Sequence, residues 1–249
     1  MGRPSSCRSA ALYEREELAA VTGGMLRPGG EELTVRAVGL CGLPPGAAIL
    51  DVGCGRGHTL ALLASRFRLR PAGLDPNCSM LRRAAAKNPA VFLMQAEAGA
   101  IPLRNGVFDG LISECVLSLT GDIAATLREM GRILLPGGKL ALADIFIDDA
   151  EGQRNCAAPA IRGCLAAARP LEAVTAAVAA AGFSILHLED HSAALKQLAG
   201  QIIFDHGSLE AFWELFMEKE EAASACRTLG AARPGYYLLI AEKKGDQHG

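Results

Sequence analysis

Short apolar runs alternate along the chain with segments whose apolar residues recur every three or four positions. The apolar runs lie at residues 47–50, 70–75, 91–94, 108–113, 140–147, 183–188 and 236–241. The segments with helical spacing include residues 59–67, 123–134 and 171–181. Strands that alternate with helices predict an α/β fold, in which helices cover both faces of a mostly parallel sheet.

The clearest local signal follows the first apolar run. Asp51 is succeeded by Gly53, Gly55 and Gly57, and the helical pattern begins directly afterwards. Glycines allow the backbone to turn sharply and to lie against a ligand where a Cβ would intrude. The pattern predicts a strand, a tight turn and a helix that together bind a ligand with an adenosine-like part.

Two residues bear on which ligand this turn binds. A dinucleotide motif needs a glycine or an alanine at the sixth position, where this chain has the large residue His58. A carboxylate at the position of Asp51 would repel a pyrophosphate but would suit a cation. The turn therefore favours a cationic cofactor over a nicotinamide dinucleotide.

With this motif the chain resembles the class I S-adenosylmethionine (SAM)-dependent methyltransferases, whose first motif is an acid followed by three alternating glycines. Asp51, Gly53, Gly55 and Gly57 match that motif, and Cys54 lies within it, where its backbone is more important than its sulfur. The resemblance implies SAM as the cofactor. It also implies a Rossmann-like sheet of seven strands in which the last strand is antiparallel.

Further positions carry the resemblance along the chain. Asp75 ends the second apolar run at a spacing that fits a ribose-binding carboxylate. The resemblance implies that Pro76 and Met80 flank the adenine, although Met80 is equally well explained as a core residue. It also places Glu97 against the adenine amino group and the backbone of Ala98 against the ring.

Glu114 and Cys115 follow the fourth predicted strand, where ligands of open α/β sheets bind. A second family signature, of the form L-x-P-G-G-x-L, follows the predicted helix 123–134, for which Asp122 is a plausible N-cap. The ordered motifs extend the resemblance over residues 46–148.

The flanking segments suggest two additions to a methyltransferase domain at residues 46–249. Residues 1–45 are interpreted as a helical cap in which Tyr13 and Arg27 contact the methionine part of the cofactor, or else as a packing segment with solvated charges. Residues 192–229 are interpreted as an insertion of two helices that roofs the acceptor site or forms a dimer surface.

Composition and charge limit the partners. The net charge is -2 and no basic stripe with interleaved aromatic residues is present, which disfavours nucleic acid. The apolar stretches are too short for a membrane span and no signal peptide is evident, so we expect a cytoplasmic protein that is a monomer or a homodimer. The eight cysteines form no C-x-x-C pair, which favours free thiols over metal sites or disulfides.

Local matches point to the branch of the family that methylates small molecules, including quinone precursors and arsenite. Cys164 falls on an arsenic-binding position of the arsenite enzymes, but another such position is occupied by Leu60. The expected function is methyl transfer from SAM to an unidentified small molecule, with an arsenite enzyme as the alternative. A nicotinamide-dependent oxidoreductase and a catalytically silent SAM-binding protein remain as other classes, and no catalytic residue is predicted.

Overall fold

The seven strands form one sheet in the order β3-β2-β1-β4-β5-β7-β6. The computed structural model describes residues 27–156, 161 and 163–245. The strands are β1 (Ala48–Val52), β2 (Arg70–Asp75), β3 (Phe92–Gln95), β4 (Phe108–Glu114), β5 (Leu134–Phe146), β6 (Phe183–Asp190) and β7 (Gly235–Lys243). β7 runs antiparallel to β5 and β6, and the other pairs are parallel. The predicted α/β sheet with an antiparallel last strand is confirmed.

Helices lie between the strands in the order that the sequence pattern predicts. They are α1 (Gly30–Cys41), α2 (His58–Phe67), α3 (Cys78–Lys87), α4 (Ile123–Ile133), α5 (Ala150–Cys156), α6 (Leu171–Ala180), α7 (Ser192–His206), α8 (Leu209–Glu214) and α9 (Lys219–Ala232). Asp122 caps α4 by accepting a hydrogen bond from the Ala125 backbone N–H, as predicted. Among the described residues, no helix combines the length and apolar character needed to cross a membrane.

Two apolar cores lie on opposite faces of the sheet because successive strand residues point to opposite sides. The core on the α4 and α6 side includes Leu50, Leu74, Leu111, Leu142, Leu127, Met130, Val174, Val178 and Phe183. The core on the α1 and α2 side includes Ile49, Ile112, Ala141, Ile240, Leu33, Ala37 and Leu63. The two cores fix the strands so that the carboxyl ends of β1, β2 and β4 meet at one edge of the sheet.

The structure differs from the sequence prediction in three segments. β5 begins at Leu134 instead of residue 140, with an irregularity in its pairing to β4 between Phe108 and Gly110. The sequence predicts an irregular segment at residues 148–169, whereas the structure has α5 and a short 3-10 turn, Gly163–Ala167, within it. The insertion contains three helices instead of two, because residues 215–218 separate α8 from α9.

Two phenylalanines provide a test of this packing. Phe183 is fully buried and packs beside Gly131 of α4, whereas Phe204 on α7 is 85% exposed. We expect Phe183→Ala to lower the free energy of unfolding by about 3–5 kcal/mol, because it leaves a cavity in the core. Phe204→Ala removes the same atoms from the surface and should change this energy by less than about 0.5 kcal/mol.

Urea denaturation followed by circular dichroism measures both changes. Equal effects of the two substitutions would contradict the assignment of Phe183 to the core.

Candidate functional site

The glycine turn after β1 is held close to the neighbouring strands. The backbone N–H groups of Gly53 and Cys54 both donate to the Leu74 carbonyl oxygen of β2, at 2.7 and 3.0 Å. Gly53 has a φ of 79°, and a Cβ placed there would lie 2.2 Å from the Val116 side chain. The first glycine is therefore required both by the backbone conformation and by the approach of the loop after β4.

Asp75, at the end of β2, forms hydrogen bonds to the glycine turn through one carboxylate oxygen and to the loop after β2 through the other. Its Oδ2 accepts a hydrogen bond from the Gly55 backbone N–H at 2.9 Å, and its Oδ1 accepts one from the Asn77 backbone N–H at 2.8 Å. Burial raises the pKa of Asp75, and these two hydrogen bonds oppose that rise. The carboxylate is thereby fixed at the edge of the sheet.

Asp51 is the most unusual carboxylate of the site. It is only 3% exposed, and none of the residues that the structure describes forms a hydrogen bond to its carboxylate. Burial raises the pKa of Asp51 well above its usual value, the charges of Glu114 and Asp75 raise it further, and the charge of Arg27 opposes the rise. A buried carboxylate without a hydrogen-bonding partner is costly unless a cation lies beside it.

The side chain of Glu114, at the end of β4, contacts the segment at Arg27 and α1 through one carboxylate oxygen and contacts α2 through the other. Its Oε1 lies 3.0 Å from Arg27 Nε and accepts a hydrogen bond from Thr34 Oγ1 of α1 at 2.8 Å. Its Oε2 accepts a hydrogen bond from Thr59 Oγ1 of α2 at 3.1 Å. The side chains of Arg27 and Glu114 are 11% and 6% exposed, so the ion pair is largely shielded from water.

Cys115 follows Glu114 in a left-handed conformation, with a φ of 56°. Its Sγ lies 3.2 Å from the Tyr236 hydroxyl of β7, and both Cys115 and Cys164 pack against the core on the α1 side. Burial raises the pKa of Cys115 well above its usual value, with smaller contributions from Asp144 and Cys164. The side chain is therefore a neutral thiol at ordinary pH.

Asp144 of β5 fastens the turn that follows Cys115. Its carboxylate accepts hydrogen bonds from the Ser118 backbone N–H at 2.8 Å and from Ser118 Oγ at 2.7 Å. Burial raises the pKa of Asp144 to about 6, and the hydrogen bonds from Ser118 oppose the rise. Asp144 and Ser118 line a small cavity together with Arg169 and Tyr237.

The remaining residues of the predicted site lie around this edge with different exposures. Met80 and Ala98 are buried, whereas Pro76 and Glu97 are exposed to solvent. Tyr13 lies outside the described residues.

The sequence suggests His58 as a cap of the glycine turn or of its helix, and His191 as a possible base, and both histidines contact charged side chains. The N-cap of α2 is Gly57, and His58 Nε2 lies 2.8 Å from Lys87 Nζ. Burial lowers the pKa of His58, and the nearby cations, first of all Lys87, lower it further. His191 lies 2.9 Å from Glu189, which in turn pairs with Arg36 of α1.

Sequence reasoning missed the hydroxyl groups of the site. Thr34 and Thr59 are buried and both donate to Glu114, which lies 80 and 55 positions away along the chain. Ser118 similarly donates a hydrogen bond to Asp144, which lies 26 positions away along the chain. The only sign of these contacts in the sequence is a threonine at a core-facing position of each helix. Such a threonine does not by itself identify the residue to which it donates.

Comparisons with known proteins agree with this geometry. A family profile described as a methyltransferase domain matches residues 50–142. An O-methyltransferase of Pyrenophora dematioidea is 27% identical over 228 residues, which are 86% of this chain and 81% of that protein. Several other methyltransferase relatives match over less than half of their own length.

Solved structures share the fold. The [4+2]-cyclase SpnF superposes with a TM-score of 0.77 at 22% identity and covers 98% of this chain and 97% of its own. A phosphoethanolamine N-methyltransferase 2 of Haemonchus contortus, in complex with SAM, superposes with a TM-score of 0.76 at 18% identity, over 98% of this chain and 61% of its own. Together with the glycine turn and the acid at the end of β2, these likenesses support a class I SAM-dependent methyltransferase whose cofactor is SAM.

Proposed function

We propose that this protein transfers the methyl group of SAM to a small-molecule acceptor. The observation that carries the proposal is the pair of acids at the sheet edge: Asp75 is fixed on the glycine turn, and Asp51 lies buried without a hydrogen-bonding partner. The residues proposed to surround the cofactor are Asp51, Gly53, Cys54, Gly55, Gly57, Asp75, Pro76, Met80, Glu97, Ala98, Glu114, Cys115, Tyr13 and Arg27.

The chemistry of the described residues fits this cofactor. A Cβ built on Gly55 would meet no atom within 4 Å, so the backbone of the turn is open to a ligand on that side. Asp75 lies beside this opening, where its carboxylate can accept hydrogen bonds from ribose hydroxyls. Asp51 suits a positively charged ligand, because a cation offsets the cost of its buried charge.

The role of the chain in the reaction is to bind, align and exclude water. SAM supplies an already activated methyl group on a sulfonium. Alignment of donor and acceptor in a closed site can by itself lower the barrier by about 7–11 kcal/mol. A general base is needed only for an acceptor that is protonated at the working pH, and we assign none.

Two observations support a small molecule as the methyl acceptor: the net charge of the chain and the names of its relatives. A net charge of -2 offers no electrostatic surface for nucleic acid. The relatives include an O-methyltransferase and a 2-phytyl-1,4-naphtoquinone methyltransferase, and the second name specifies a small-molecule acceptor. We propose a cytoplasmic enzyme, monomeric or homodimeric, in which residues 1–45 form a cap and residues 192–229 a helical insertion.

The arsenite alternative has weaker support in this chain. Trivalent arsenic requires several converging thiolates. Cys115 and Cys164 pack against one core, but the position of a further thiol is taken by the fully buried Leu60. Within the described part of the chain, no group of three or more metal-binding side chains is assembled.

Two alternatives of other classes make different predictions. An oxidoreductase would bind NAD, which His58 and Asp51 oppose, whereas a methyltransferase would bind SAM and leave NAD unbound. A silent member of the fold would bind SAM without turnover of any acceptor in a broad metabolite screen. Radiolabelled SAM with such a screen separates the three classes.

Asp75 provides the direct test of the cofactor site. We expect Asp75→Ala to weaken SAM binding more than about tenfold, because one or two hydrogen bonds to a charged group contribute about 1.5–3 kcal/mol each. Asp109→Ala is the matched control, since Asp109 also accepts a backbone hydrogen bond, from Ala48 at 2.7 Å, but lies at the start of β4. Isothermal titration calorimetry measures both affinities, and an unchanged affinity of Asp75→Ala would refute the assignment.

Asp51 should make SAM binding depend on pH. Because its pKa is raised, Asp51 is protonated up to a higher pH in the free protein than an ordinary aspartate would be. Because a cationic cofactor favours the ionised form, affinity should rise with pH up to the pKa of Asp51, and binding below that pH should release a fraction of a proton.

Calorimetry in two buffers of different ionisation enthalpy measures the released proton. Asp51→Asn should abolish the release, whereas Asp109→Asn should retain it. Proton release of equal size in Asp51→Asn would assign the effect to another group.

A further inference from the structure

Both carboxylate oxygens of Glu114 are already occupied by protein groups. Oε1 is engaged by Arg27 and Thr34, and Oε2 is engaged by Thr59. Arg27 Nη2 also donates to Thr34 Oγ1 at 2.5 Å. Glu114 is thus suited to hold Arg27, Thr34 and Thr59 in place at the sheet edge.

The charges around Glu114 make this arrangement relevant to the cofactor. Asp51 lies on β1 beside Ile112 of the adjacent parallel strand β4, two residues before Glu114. The charge of Glu114 raises the pKa of Asp51, and the charge of Arg27 opposes that rise. Glu114 compensates the charge of Arg27 within a largely buried ion pair. Without that negative charge, the guanidinium would interact more strongly with Asp51 and would repel a cation that approaches it.

We propose that Glu114 is a positioning residue that neutralises Arg27 at the sheet edge and thereby reserves the negative charge of Asp51 for the cationic cofactor. This inference rests on the proposed function. Methyl transfer converts the sulfonium into a neutral thioether, because the methyl group leaves and the sulfur keeps the bonding electron pair. The arrangement therefore favours SAM over S-adenosylhomocysteine, the product, which lacks the sulfonium charge.

The test compares the affinities for SAM and for S-adenosylhomocysteine. Glu114→Gln keeps an oxygen that can accept a hydrogen bond but removes the charge. We expect it to lower the ratio of SAM affinity to S-adenosylhomocysteine affinity by about fivefold or more, because loss of the Glu114 charge strengthens the repulsion between Arg27 and the additional positive charge of SAM. Glu114→Asp keeps the charge and should therefore lower this affinity ratio less than Glu114→Gln does.

A second variant separates charge from structure. Arg27→Met combined with Glu114→Gln removes both charges, and we expect it to restore the ratio to within about twofold of the unmodified protein. Arg36→Met combined with Glu189→Gln is the matched control, because this Arg-Glu pair also fastens α1 to the sheet but has an Arg36 side chain that is 52% exposed. The control should leave the ratio unchanged.

The outcomes distinguish the inference from the function on which it rests. An unchanged ratio in Glu114→Gln, or an equal loss of both affinities that the double variant does not repair, would overturn the positioning role and leave the proposed function standing. Failure of the folded, unmodified protein to bind either ligand would refute the proposed function. Circular dichroism of each variant verifies that the fold is retained.

Discussion

The burial of carboxylates at one edge of the sheet is the constraint on which the rest of the site depends. Parallel strands bring Asp51, Asp75 and Glu114 to neighbouring carboxyl ends, and a buried charge is costly unless it is compensated. Each acid meets this cost differently. Asp75 accepts backbone N–H groups, Glu114 pairs with Arg27 and two threonines, and Asp51 stays without a hydrogen-bonding partner in the described chain.

The same constraint links the start of the described chain to the sheet. Arg27 and Thr34 reach Glu114 from the beginning of α1, and Thr59 reaches it from α2. Glu114 therefore links α1 and α2 to the edge of the sheet. Breaking one partner of a buried ion pair is more costly than removing both, so the network behaves as a unit.

Two further side chains near the end of β4, Cys115 and Asp144, are engaged with other protein groups. Cys115 is a neutral thiol that forms a hydrogen bond with the Tyr236 hydroxyl, and Asp144 accepts a hydrogen bond from the Ser118 backbone N–H. This suits methyl transfer, in which the donor is already activated and alignment contributes most of the rate. That a cyclase shares the fold with a TM-score of 0.77 shows that the sheet does not determine the reaction.

The sequence by itself determined the strand order along the chain, the glycine turn and the positions of Asp51 and Asp75, because these depend on local periodicity and on short motifs. It did not determine that the insertion has three helices or that His58 contacts Lys87. Only the tertiary structure decided the environment of Glu114, whose partners lie 87, 80 and 55 positions away. Contacts between residues so distant along the chain arise from packing of the sheet and its helices, which no local pattern encodes.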